Sequence, residues 1–225
     1  MSASSEAKLE AKLAQLRQLL ERYRALPRHS QPQLAPQLAT IRKLQVKALR
    51  DAHAKDCRDP RYTAHFEFYL DELHSGLRLD RLAADGDKLL RLLARLDRSF
   101  EAVRGSFEFS VRAQELDDAL ALILSKSDID IVELMRNADQ GTARREHAQQ
   151  LAPLGPGLAK YAHSRLAWAA FKFGLMRMRS GPFAPLSGTL QRGFGALREL
   201  PDVEAAFQRL ITNNLAAVDS LYKKG

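Results

Sequence analysis

One pair of residues has the spacing that a metal site on a helix requires. Asp71 and His74 are three positions apart, so a helix would place a carboxylate and an imidazole on one face. Helical di-iron proteins use such a pair twice and add two carboxylates from other helices. The other candidate here is Glu146 beside His147, and adjacent residues point apart on a helix. We therefore predict no metal site, and we expect Asp71 and Glu72 to be solvated or paired with an arginine.

Two further patterns could indicate catalysis or phosphate binding. Cys57, the single cysteine, lies between Lys55 and Arg58, and such cations favour a thiolate. No glycine-rich elbow and no nearby histidine accompany it, so an incidental loop cysteine is the preferred interpretation. Gly155 and Gly157 lack the Lys-Ser/Thr of a phosphate-binding loop, and they read as a helix breaker. We predict no catalytic residue and no cofactor, and the chain reads as a non-enzyme.

Charge is unevenly distributed along the chain. Residues 1–62 hold 13 Lys and Arg and 6 Asp and Glu, a net of +7, whereas residues 63–225 hold 22 and 21, a net of +1. A basic segment on a near-neutral body favours an anionic partner, such as nucleic acid, an acidic protein or anionic lipid. The alternative is a solvated face that only keeps the protein soluble. The predicted contacts to an anionic partner are Arg17, Arg22, Arg24, Arg28, Arg42, Lys43, Lys47 and Arg50.

Aromatic residues suggest a second kind of site. Phe68, Tyr69 and Trp168 could line a ligand pocket between helices, although aromatic and leucine stripes at helical spacing are more typical of a core. We keep a helical small-ligand binder or enzyme at this place as the alternative function.

The basic segment is predicted to be an αα-hairpin. Its first helix ends at Tyr23 after leucines in a 4-3-4-3 pattern, and its second runs from Leu34 to about Leu49. Prolines occupy the connection. A polar stretch, Asp56–Pro60, is the candidate boundary between a hairpin of residues 1–58 and a helical body of residues 59–225. We expect the hairpin to pack on the body or on a second copy of the chain, so a homodimer is another candidate assembly.

Composition favours an all-α fold. Apolar residues are mostly Leu and Ala, and no segment alternates with period two. We predict one bundle-like domain of about eight or nine helices, including a central helix over residues 158–178. Its densest apolar run, Leu166–Met176, is too short for a bilayer span of roughly 20 residues, so we expect a buried core helix and no membrane span. The single cysteine and the lack of an apolar leader predict the cytoplasm.

Seven residues carry a resemblance to a known family. They resemble the heptapeptide Phe-Phe-Leu-Glu-Glu-Leu-Tyr of the FFLEELY-motif proteins, a proteobacterial family, and in this chain they are Phe68, Tyr69, Leu70, Asp71, Glu72, Leu73 and His74. Tyr69 and Asp71 are conservative changes, and His74 is the real departure. The resemblance implies a cytoplasmic helical protein with no established activity, and it transfers no catalytic or binding residue. It also implies that the apolar positions dock this helix into the core.

Together these observations predict a non-enzymatic helical protein that binds a macromolecular partner through its basic N-terminal hairpin.

Overall fold

Helices and turns make up the described part of the chain. The computed structural model describes residues 3–74, 94, 100–125, 130–137, 139–166, 168–169, 172 and 184–222. No strand occurs among these residues, which confirms the predicted all-α fold. Nine α-helices of seven residues or more have their bounds in this part of the chain. They are α1 (Ala3–Arg24), α2 (Ala35–Ala52), α3 (Pro60–Phe68), α4 (Phe100–Leu124), α5 (Ile131–Asn137), α6 (Gly141–Gln149), α7 (Leu154–Ala162), α8 (Ala184–Glu199) and α9 (Val203–Tyr222).

Short helical pieces precede α2 and follow α3. A single turn (Pro27–Ser30) and a 3₁₀ turn (Pro32–Leu34) join α1 to α2, and each begins with a proline. Proline is favoured there because the first helical N–H has no partner in any case. Asp59 caps α3 by accepting a hydrogen bond from the backbone N–H of Arg61 at 3.0 Å. After α3 the chain changes to a π-helical turn, Tyr69–His74.

Two helices organise the core. α9 packs against α2, α5, α6 and α7, while α4 packs against α1, α2, α5, α6, α7 and the π turn. The main apolar cluster joins α1, α3, α4, α7 and α9, with Phe66, Tyr69 and Phe109 among its most completely buried side chains. A second cluster around Ile41 and Met135 joins α2, α4, α5 and α9.

Both helices of the predicted N-terminal hairpin lie against α4. The predicted apolar seam of α1 faces inward: Leu13 and Leu16 are fully buried in the main cluster. The N-terminal segment therefore packs on the body, which is one of the two arrangements that the sequence allows. The division at residue 58 stays a prediction.

Several sequence predictions concern the second half of the chain. Gly155 lies inside α7, so its interpretation as a helix breaker is wrong; its missing side chain instead admits Phe207 of α9. α7 ends at Ala162, within the range 158–178 for which the sequence predicts one helix. Leu166, the first residue of the run expected to be buried, is 81% exposed. No described helix is long and apolar enough to cross a membrane.

One glycine of α8 permits a close contact with α3. A Cβ added to Gly193 would lie 2.6 Å from Cζ of Phe68, whereas a Cβ on Gly195 would meet nothing within 4 Å. Gly193 and Gly195 therefore share the same helical backbone and differ only in how closely a neighbouring side chain approaches them.

We expect Gly193→Ala to lower the free energy of unfolding by about 1–3 kcal/mol, because the added methyl displaces the Phe68 ring. Gly195→Ala is the matched control and should raise it by up to about 1 kcal/mol, because alanine favours a helix over glycine. Urea unfolding measures both. Equal effects of the two substitutions would contradict the close contact.

Candidate functional site

Two polar side chains of the π turn bind to two other helices. The Tyr69 hydroxyl is fully buried and donates to Oδ1 of Asn214 on α9 at 2.5 Å. Glu72 forms an ion pair with Arg192 of α8 and accepts a hydrogen bond from the Thr189 hydroxyl at 3.1 Å. The expected ion pair at the acidic residues thus exists at Glu72, and the π turn is anchored to both α8 and α9.

A cleft of about 510 Å³ opens between α2 and the π turn. One wall is a single face of α2, since its residues recur at intervals of about four. The other wall comes from the π turn, with contributions from the α1–α2 connection and from α4. The residues that line the cleft are Arg28, Leu38, Ala39, Arg42, Lys43, Val46, Arg50, Leu70, Asp71, His74 and Asp117. The cleft therefore joins four of the predicted basic contacts to three residues of the heptapeptide, and we call it the basic cleft.

Two of the four cations in the basic cleft are held by carboxylates. Arg28 donates through Nε to Oδ1 of Asp118 at 2.8 Å and through Nη1 to Gln114 at 2.9 Å. Arg50 makes a bidentate pair with Glu67 at 2.7 and 2.8 Å. These bonds orient both guanidinium groups toward neighbouring helices, so Arg28 and Arg50 frame the cleft.

The other two cations are available. Arg42 and Lys43 are exposed, and neither forms an ion pair with any residue that the structure describes. They lie in the middle of the α2 wall, one helical turn from Leu38 on one side and Val46 on the other. Among the described residues, nothing pairs with the positive charges of these two side chains.

The remaining four predicted contacts do not line the cleft. Arg22 bonds Glu115 through Nε at 2.9 Å and Glu108 through Nη1 at 2.6 Å. The hydrogen bond to Glu115 in particular raises the pKa of Arg22. Lys47 lies 3.8 Å from Asp51 on the solvent side of α2. Arg17 and Arg24 are on α1, the first half-buried and the second exposed.

A buried polar network lies behind the cleft. Oδ1 of Asp117 accepts hydrogen bonds from Gln45 at 2.9 Å and from Arg144 at 2.8 Å. Burial by itself would raise the pKa of Asp117, but Arg144 and Gln45 outweigh it and the pKa is lowered. Asp117 is therefore ionised and balanced by Arg144, so it adds no net charge to the cleft.

His74 forms the inner wall of the cleft. Its side chain is partly exposed, but Nδ1 is enclosed and has no hydrogen-bond partner among the described residues. Burial lowers the pKa of His74 to about 4; Asp117 opposes this shift, and Arg144 and Arg42 reinforce it. At neutral pH His74 is uncharged, so it leaves the charge of the cleft to α2 and Asp71.

Two other histidines are buried and neutral in the core. Burial lowers the pKa of His65 to about 4, and neither ring nitrogen of His65 has a hydrogen-bond partner in the described part of the chain. Burial also lowers the pKa of His147 to about 3; its Nε2 donates to the carbonyl of Phe109 at 2.8 Å. Both histidines are uncharged, buried groups at neutral pH.

Sequence reasoning missed the residues that hold the cleft together. Asp117, Asp118, Gln45 and Arg144 attracted no attention as functional residues. The available signal was two consecutive carboxylates between Leu116 and Leu120, in a helix whose apolar face must be buried.

The sequence also raised an aromatic pocket, a reactive cysteine and a metal site. Trp168 stacks on Phe194 with ring centroids 5.5 Å apart, and Phe68 packs on Gly193, so the proposed pocket between Phe68, Tyr69 and Trp168 stays a prediction. Burial raises the pKa of the Cys57 thiol, and the charge of Arg50 opposes this shift. No group of three or more His, Cys, Asp or Glu that could hold a metal ion occurs among the described residues.

Comparison with known proteins places the chain in a family. Residues 25–225 match the family described as Domain of unknown function (DUF8198). Since the match covers most of the chain, the protein belongs to this family. No curated protein and no solved structure matches the chain. The match begins directly after α1 and includes every residue that lines the basic cleft.

We expect the cations of the basic cleft to differ in how much each contributes to the free energy of unfolding. We expect Arg28→Ala to lower the free energy of unfolding by about 3 kcal/mol, because it leaves the buried Asp118 without its partner. Arg42→Ala should change it by less than about 0.5 kcal/mol. Thermal or urea unfolding tests both, and a stability loss for Arg42→Ala as large as that for Arg28→Ala would contradict the assignment.

Because His65 and His147 are buried and uncharged, we expect the folded state to lose stability in acid. Their pKa values are lower in the folded than in the unfolded state, so stability is complete above about pH 6.5 and falls as the pH drops toward 4. Each contributes a slope of about 1.4 kcal/mol per pH unit in this window. His65→Leu should remove one such slope, while His163→Leu, at an exposed position, should not. Urea unfolding at pH 7, 6 and 5 compares the three proteins; an unchanged slope in His65→Leu would contradict the prediction.

Proposed function

We propose that this is a non-enzymatic protein that binds an anionic macromolecular partner through the basic cleft. The proposal narrows the predicted basic hairpin to one face of α2 and the π turn opposite it. The single observation that carries it is the pair Arg42 and Lys43, exposed in a concave surface and without ion pairs in the described chain.

The contrast with the neighbouring cations supports this choice. Arg22, Arg28 and Arg50 each bond a carboxylate of another helix, and such pairs serve packing. Arg42 and Lys43 form no such pair in the described structure, although they lie between Arg28 and Arg50 in the sequence. Charges used for solubility alone are usually scattered over convex surface, whereas these two share a cleft with apolar side chains.

The FFLEELY resemblance fits the same proposal. Residues 68–74 supply the wall that faces α2, and Tyr69 and Glu72 attach that wall to α9 and α8. We propose that the heptapeptide belongs to the FFLEELY type and that it builds the cleft rather than carrying chemistry. A π turn is a common device at functional sites, because it redirects side chains within a helix. We also propose a cytoplasmic location, on the basis of the single cysteine.

Binding should depend on the two available cations. In the full-length protein we expect the double variant Arg42→Ala, Lys43→Ala to bind an anionic polymer at least about tenfold more weakly, because two charge-assisted contacts are lost. Polyglutamate, duplex DNA and an RNA hairpin, each labelled with a fluorophore, are titrated at two salt concentrations by anisotropy. Affinity should fall with salt in the wild type and less steeply in the variant.

The matched control is Lys160→Ala, Arg165→Ala, which removes the same charge from exposed positions outside the cleft. An equal loss of affinity in both double variants would mean that net charge, not the cleft, governs binding. Failure of the wild type to bind any of the three polymers would count against the proposal.

A further inference from the structure

The basic cleft is not uniformly basic. Asp71, on the wall opposite Arg42 and Lys43, is exposed and makes no ion pair or hydrogen bond with any described residue. Arg50 interacts with it electrostatically, but the hydrogen bonds of Arg50 go to Glu67. An occupant of the cleft would therefore meet, on one wall, two cations and, on the other, a carboxylate, none of which is hydrogen-bonded or ion-paired to a described residue.

The remaining surface of the cleft is largely apolar. Leu38, Ala39 and Val46 belong to the α2 wall, and Leu70 belongs to the π turn. The neutral His74 adds a further surface without charge. Such a lining favours an occupant that carries aliphatic groups beside its charged ones.

These features disfavour a nucleic acid. The backbone of DNA offers acceptors and negative charge only, and that of RNA adds only the 2′-hydroxyl as a donor, so Asp71 would repel the phosphates of either at the position where it faces Arg42 and Lys43. Nor do the described residues that line the cleft include Phe, Tyr or Trp, on which unpaired bases usually stack. Apolar side chains would remain uncovered along a phosphate backbone.

A polypeptide supplies all three kinds of group. Its Asp or Glu side chains match Arg42 and Lys43, its aliphatic side chains match Leu38 and Val46, and its backbone N–H groups can donate to Asp71. We propose that the occupant of the basic cleft is a segment of an acidic protein that carries an acidic residue beside an aliphatic one. This inference rests on the proposed function and names the class of partner at the same site.

A peptide library displayed on phage tests the inference with the full-length protein as bait. Selection on the wild type should enrich sequences in which Asp or Glu stands beside Leu, Ile or Val. The same selection on the double variant Arg42→Ala, Lys43→Ala should lose this enrichment. Absence of the enrichment on the wild type, or its persistence on the variant, would overturn the inference.

Asp71→Ala then distinguishes the partner classes by the sign of its effect. Affinity for a selected peptide should fall about threefold or more, because the acceptor of its N–H group is lost. Affinity for duplex DNA should rise, because a repulsive charge is removed. Glu199→Ala, at an exposed position outside the cleft, is the control and should leave the affinity for peptide unchanged.

The outcomes separate the two proposals. If the double variant loses binding to nucleic acid but the wild type enriches no peptide in which an acidic residue stands beside an aliphatic one, the proposed function holds and the acidic protein segment is wrong. If the double variant binds every probe as the wild type does, both proposals fail.

Discussion

The buried carboxylates of α4 need positively charged partners, and the arrangement of the neighbouring segments depends on this requirement. Asp117 and Asp118 are consecutive, so the helix points them about 100° apart, toward different neighbours. Both are largely buried, and a buried carboxylate without a partner is strongly destabilising. Arg28 pairs with Asp118, and Arg144 with Asp117. The α1–α2 connection and α6 are therefore held against α4, and Gln45 adds α2 to the same network.

This constraint explains part of the uneven charge along the chain. The excess of cations in residues 1–62 is partly matched in space by the carboxylates of α4, because Arg22 pairs with Glu108 and Glu115, and Arg28 with Asp118. Several cations of this segment, Arg42 and Lys43 among them, form no ion pair with a described residue. Arg42 and Lys43 lie on the α2 face that looks toward the π turn, and there the charge is available to a partner. The cations of α2 thus differ from one another: Arg50 is held by Glu67, whereas Arg42 and Lys43 form no ion pair with a described residue.

Sequence patterns predicted the general architecture but not its interruptions. The 4-3-4-3 leucines of α1 indicated a buried face, and Leu13 and Leu16 are buried. The change from α to π helix at Tyr69 left no signal, because it depends on contacts with α8 and α9 that are distant in sequence. Gly155 was misread for a similar reason: its role is to admit Phe207, which lies some fifty residues away in the chain.

The sequence by itself determined the all-α class, the location of the basic residues and the unusual heptapeptide, because these follow from composition and from periodicity within a segment. Only the tertiary structure decided which cations are bound and which are available. Arg28 and Arg42 are both arginines of the basic N-terminal segment. Arg28 nevertheless binds Asp118, whereas Arg42 lines the basic cleft. The difference depends on which side chains of distant helices approach each arginine, and spacing along the chain carries no information about that.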